Sequence, residues 1–240
     1  GETAFEDIEI IIENIADIME NSGVDVDYIR LEGKAPVNSF QYYAAAMTTM
    51  FILFAAGYGS RTLLEEKDNI TYQRMVIAGT PRWKIAAGKF FMIFTFAFLQ
   101  ITIMVIYSTL VLKVSWGNLI SVAIISLCTM ISVAGLGTMI AAATFKAGNY
   151  KMSIAFDSVI IQIMALIGGS FIPFEVLPKF MQKLSILSIN GIALKSYLKN
   201  MMGYGLGEVK IYLSVLLGLG IVFISIAVFI LKWKEGLRHA

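Results

Sequence analysis

The sequence predicts an all-α, polytopic membrane bundle, and three observations carry that prediction. Hydrophobic residues make up 58% of the 240-residue chain and charged ones 15%, against about 25% charged in a soluble domain. Nearly uncharged windows of about 20 residues recur, long enough at 1.5 Å per residue to cross a hydrocarbon core of about 30 Å. The alternating ten-residue segments of an outer-membrane barrel are not the pattern here.

Taken in order, residues 1–37 read as the C-terminal part of an α+β extracytoplasmic domain. In AFEDIEIIIENIADIME, Phe5, Ile8, Ile12, Ile15 and Met19 recur at helical spacing with acids between them, and in GVDVDYIRL, Val24, Val26 and Tyr28 alternate with Asp25 and Asp27 as in a short strand. Residues 1–36 hold ten acids and two bases. Residues 38–240 form the membrane domain, with five expected spans at about 40–60, 90–112, 119–143, 152–174 and 211–231. The chain opens at Gly1 with no basic, apolar leader, so the expectation is a fragment that lacks at least one upstream span and the start of the outer domain.

Between the first two spans, residues 61–89 read as a charged hairpin. Asp68 or Asn69 is expected to cap a helix over NITYQRMVIAG, Gly79 to stop it, Thr80 to cap the next helix and Pro81 to occupy its first position. Arg82, Trp83 and Lys84 would sit at headgroup level. From the residues alone, a membrane-surface anchor and a protein-docking surface are both open. Residues 175–210 form a second hairpin, in which Phe180, Leu184 and Leu187 share one face, Leu194, Tyr197, Leu198 and Met201 another, and Asn190-Gly191 is expected to break between them. It reads either as a surface-lying anchor or as helices dipping into the bundle.

Lysines and arginines mark cytoplasmic loops. Arg61, Lys67, Arg74, Arg82, Lys84 and Lys89, the Lys146–Lys151 turn and the Lys232–Arg238 tail place one side inside. The acidic head lies outside, and five lysines in 175–210 weaken the contrast without reversing it. Asp157 is the ionisable residue placed well inside a span. It costs roughly 2.5–3.5 kcal/mol at a helix centre, so it faces protein or water, or reaches the interface near Lys151. Gln100 and Gln162 read as interhelical ties or as pathway residues. Gly135, Gly137, Gly168 and Gly169 mark close helix contacts.

One cysteine, Cys128, and one histidine, His239, leave no pair for a disulfide, a metal or a nucleophile–base couple. AAGYGSRT and VAGLGTMI lack the lysine of a phosphate loop, so the chain should not bind ATP itself. No clustered carboxylates favour a membrane enzyme.

The run Glu65, Glu66, Lys67, Thr71, Arg74, Gly79, Trp83, Gly88, Lys89, lying between two spans, resembles the first cytoplasmic loop of permease subunits of type-2 ABC exporters. GGSFIPFEVLPKFMQKLSILSINGIALKSYL resembles their outer hairpin, although family members often carry a proline where this chain has Ile189, Asn190 and Gly191. The resemblance covers about residues 38–235 and fits the subgroup with an ectodomain between the first two of six spans. It implies a multi-pass permease in a bacterial cell membrane that exports a drug, antibiotic, lipid or other hydrophobic compound. The same resemblance implies ABC ATPase subunits docked on the hairpin, ATP and Mg held by those subunits, no cofactor on this chain, and a second permease copy. Lipid but no nucleic acid completes the partners. Within that frame Asp157, Gln100 and Gln162 would belong to the pathway or the permease interface, and Pro173, Pro178, Asn190 and Gly191 to an outer gate. The reading kept beside it is a membrane scaffold or sensor whose ligand-binding part is the acidic head.

Overall fold

The computed structural model describes residues 37–174 and 176–236. The helix and strand expected within residues 1–36 lie outside them. Among the described residues there is no β-strand, and four helices are long and apolar enough to cross a membrane: Ser39–Asp68, Arg82–Leu110, Leu119–Ala147 and Leu206–Leu231. The chain is a polytopic helical bundle and an integral membrane protein.

Helix α1 (Ser39–Asp68) starts where Asn38 accepts the Phe40 N–H at 2.6 Å, while Gln41 Oε1 accepts the Asn38 N–H at 2.9 Å. That reciprocal cap satisfies two orphan donors. Its 30 residues span about 45 Å, so α1 outruns the hydrocarbon and carries Arg61, Glu65 and Glu66 on helix rather than loop. A short α2 (Thr71–Ile77) leads to α3 (Arg82–Leu110). Helix α4 (Leu119–Ala147) is capped by Asn118, which accepts from Ile120 and Ser121, and ends at Gly148 with φ +71°.

Helices α1 and α4 form the centre, each with 67% of its apolar window buried, against 17% for α3 and for α9 (Leu206–Gly236). Small residues bring the backbones together. A Cβ on Gly135 would stand 2.6 Å from the Gly220 carbonyl oxygen, and one on Gly137 2.8 Å from Ala56 Cα. Side chains such as Ile52, Ile93, Val133 and Leu216 fill the middle of the bundle. Tyr42, Trp116, Leu194 and Tyr197 pack one end, and Leu63, Tyr72, Phe145 and Leu231 the other.

The fourth expected span takes a different form. It comprises α5 (Lys151–Ala155), a π-helical turn (Phe156–Ile160) and α6 (Ile161–Ile167), with 5, 5 and 7 residues. These make about 24 Å of helix. Gly168 and Gly169 (φ +82°) then end the rod and return the chain into the bundle. Helix α7 (Lys179–Leu184) is exposed, a 3-10 turn follows at Ser185–Leu187, and α8 (Ile189–Met201) is almost wholly buried. The break therefore falls at extended Ser188, not at Asn190-Gly191, which form the first turn of α8. Helix α8 packs against α1, α4 and α9, so for this helix the surface-anchor alternative fails.

Candidate functional site

The hairpin between α1 and α3 is closed by backbone hydrogen bonds and packed on the bundle through Tyr72. Its predicted stop holds: Gly79 takes φ +76°, its N–H bonds the Val76 carbonyl at 3.0 Å, and the Thr80 N–H bonds Met75 at 3.0 Å. This is a Schellman closure, which spends the last carbonyls of α2 and favours glycine at the left-handed position. Two expected caps do not form. Helix α2 starts after Ile70, itself at φ 63° with no side-chain cap, because Asp68 and Asn69 end α1. Pro81 stands at the cap of α3 rather than inside it, and Thr80 makes no cap bond.

Several predicted hairpin residues are built into its base. Lys89 is 6% exposed and donates to Glu66 Oε1 at 2.5 Å. Arg82 Nη1 donates to the Leu231 carbonyl at 2.5 Å, tying α3 to the end of α9. Lys67 lies 5.7 Å from the centroid of Phe145, whose ring meets Tyr72 of α2 at 4.5 Å. Glu65, Thr71, Arg74 and Gly79 are exposed. With them stands an apolar set that the charges obscure in the sequence: Ile70, Val76, Ile77 and Trp83, with Ile77 86% exposed.

A second cluster lies where α1 meets the π turn. Asp157 pairs with Arg61 of α1. Ser60 and Ser153 share a hydrogen bond at 2.5 Å, and Arg61 Nε reaches Ser153 Oγ at 3.2 Å. Gly57 makes room for the carboxylate, since a Cβ there would stand 1.8 Å from Asp157 Oδ1. That oxygen is buried and unpartnered. The arrangement pins the one non-α turn of the broken helix to the central helix α1, and π turns recur at functional positions. Gln100 donates to the Phe51 carbonyl at 2.7 Å, tying α3 to α1. Gln162 is exposed on α6.

At the end remote from the hairpin, Asn190 is fully buried and donates to Ser170 Oγ at 2.9 Å, while Ser170 donates to the Ala46 carbonyl at 3.0 Å. Tyr42 donates to the Gly169 carbonyl at 2.6 Å. Gly191 packs so tightly that a Cβ would meet the Ser185 carbonyl oxygen at 2.5 Å. Pro178 caps α7 and the Pro173 carbonyl closes a turn with Val176. Sequence reasoning missed a neighbouring brace, in which Asn200 donates to the Trp116 carbonyl at 2.6 Å and Tyr197 bonds Ser126 at 2.7 Å. Asn200 and Tyr197 lie on the same buried helix as Asn190 and Gly191, so this end is tightly packed and hydrogen-bonded. Among the described residues, no group of three or more His, Cys, Asp or Glu side chains could hold a metal.

No solved structure matches the chain. Among curated proteins it is 25% identical over 142 residues to the linearmycin resistance permease protein LnrN of Bacillus subtilis (strain 168), across 59% of this chain and 36% of that protein. The chain thus spans little more than a third of that relative's length. Residues 4–229 match the family described as ABC-2 family transporter protein. With a buried two-helix centre, a braced hairpin at one end and a packed helix at the other, the chain belongs to the ABC-2 transporter family.

Proposed function

We propose that the chain is the permease part of an ATP-driven exporter, with the hairpin end cytoplasmic and a separate ABC ATPase docked there. The observation that carries this reading is the exposed set Ile70, Val76, Ile77 and Trp83 on a hairpin fixed to four helices. A membrane anchor would need one continuous lipid-facing stripe. Here the apolar residues alternate with exposed Gln73, Arg74 and Lys84, the mixture expected of a protein contact. Glu65, Thr71, Arg74 and Gly79 would line the contact. Glu66, Lys67, Arg82 and Lys89 would stiffen the lever behind it. ATP and Mg would bind the ATPase and no cofactor this chain.

In this account the hairpin's motion enters α1 through Glu66–Lys89 and reaches the broken helix through Arg61–Asp157. A second permease copy would complete the pathway, and Asn190, Gly191, Pro173 and Pro178 would form its outer gate. The Bacillus relative is named for linearmycin resistance, which makes linearmycin the cargo to try first within the drug, antibiotic, lipid or other hydrophobic class. The test is co-purification of the full-length permease with ABC ATPases of its own organism. The native protein should retain one of them and Ile77→Asp should lose it with an unchanged elution profile. Equal recovery by both proteins would overturn the docking assignment.

A further inference from the structure

We propose that a groove along the broken helix binds a single-chain anionic amphiphile, a long unbranched hydrocarbon with a carboxylate or phosphate head. Met152, Phe156, Ile160, Met164 and Ile167 form one stripe at three- and four-residue spacing and face α4 across a cavity of about 470 Å³. The stripe runs about 22 Å along the helix. Its lining offers one polar side chain, Ser188, which is already directed at the Met164 carbonyl at 3.4 Å. With no donor to spare, the groove suits a chain without polar groups, and its methionines adapt to a flexible one.

Length and charge select the occupant. A phospholipid chain reaches about 15 Å, half of the hydrocarbon core, and its second chain would stay outside a groove one stripe wide. A stripe of about 22 Å is longer than that half. At its far mouth Lys183 is exposed beside Leu184, and Lys195 donates to Ser185 Oγ at 2.7 Å. At the hairpin mouth Lys151 is exposed as well, but Tyr150 next to it is bonded to Asp68 at 2.8 Å and feels Glu65. Lys146 and Lys67 add positive charge at that mouth too, but among the described residues no carboxylate pairs with Lys183 or Lys195 at the far one, so an anionic head would sit there.

The experiment labels the full-length protein in nanodiscs with photoactivatable stearate, without ATP or any ATPase, so that its outcome is independent of the export reading. Adducts should map to the groove stripe. Laurate should compete at least tenfold less well than stearate, and Ile160→Trp, at a half-exposed lining position, should cut labelling at least tenfold. Lys183→Glu should weaken stearate labelling about fivefold and leave a photoactivatable octadecanol unchanged. Labelling that ignores Ile160→Trp, equal competition by laurate and stearate, or stronger labelling by photoactivatable phosphatidylglycerol would each overturn the assignment.

Discussion

Removing one partner of the Arg61–Asp157 pair should not cost the same as removing the other. The Asp157 side chain is 17% exposed and its Oδ1 is already unpartnered, whereas the Arg61 side chain is 44% exposed. Arg61→Ala strands a carboxylate inside a membrane segment, at about 3 kcal/mol. Asp157→Ala leaves a guanidinium that can extend toward the headgroups, so the loss approaches that of a surface pair, about 1 kcal/mol. A chain of this size loses roughly 2–4 °C in Tm per kcal/mol. The expected falls are therefore about 6–12 °C for Arg61→Ala and about 2–4 °C for Asp157→Ala. The double variant has no stranded charge and should unfold near Asp157→Ala. Thermal unfolding of the purified full-length protein in nanodiscs, followed by loss of monodispersity, measures all three. Equal losses in the single variants, or a double variant whose loss is their sum, would refute the pairing argument.

Tyr72→Ala removes the ring packed on Phe145, worth about 3 kcal/mol. Hydrogen exchange of α2 amides should speed up by about two orders of magnitude, with the α4 core unchanged; uniform acceleration would contradict a local brace. Gly191→Val places atoms against the Ser185 carbonyl and should open the far end. In a Cys128→Ala background, Ser170→Cys should then react with an impermeant thiol reagent at least tenfold faster, and an unchanged rate would remove Gly191 from that packing. Tyr150 is raised above its ordinary 10.0 first by its hydrogen bond to Asp68 and further by the Asp68 and Glu65 charges. The tyrosinate is the form disfavoured there, so a Tyr150-specific titration should lie above the ordinary value and move down in Asp68→Asn; no movement would dismiss the contact.

How much of this was legible in the sequence differs by residue. The long apolar helices and the Gly79 stop were readable, because span length and a left-handed turn are local properties. Arg61 as the partner of Asp157 was not, since 96 positions separate them and the pairing depends on how α1 registers against the π turn. The expected caps at Asp68 or Asn69 failed because α1 runs on through Asp68, a continuation that the charged SRTLLEEKD stretch conceals. Helix α8 misled for another reason: Asn190-Gly191 suggests a break, yet both residues lie buried in its first turn, with Asn190 bonded to Ser170 in the bundle. The Gly168–Asn190 contact was half visible, the glycine pair marking a close approach and the partner segment remaining unnamed.

The most direct measurement of the docking claim is site-specific photo-crosslinking in membranes containing the full-length permease and the ABC ATPases of its organism. A photoreactive residue at Ile77 should yield an adduct of permease plus ATPase mass whose amount changes when ATP is added. One at Phe229, which is exposed on the side of α9, should yield none. An Ile77 probe that reacts only with lipid, while Phe229 captures the ATPase, would contradict the assignment of the hairpin as the docking surface.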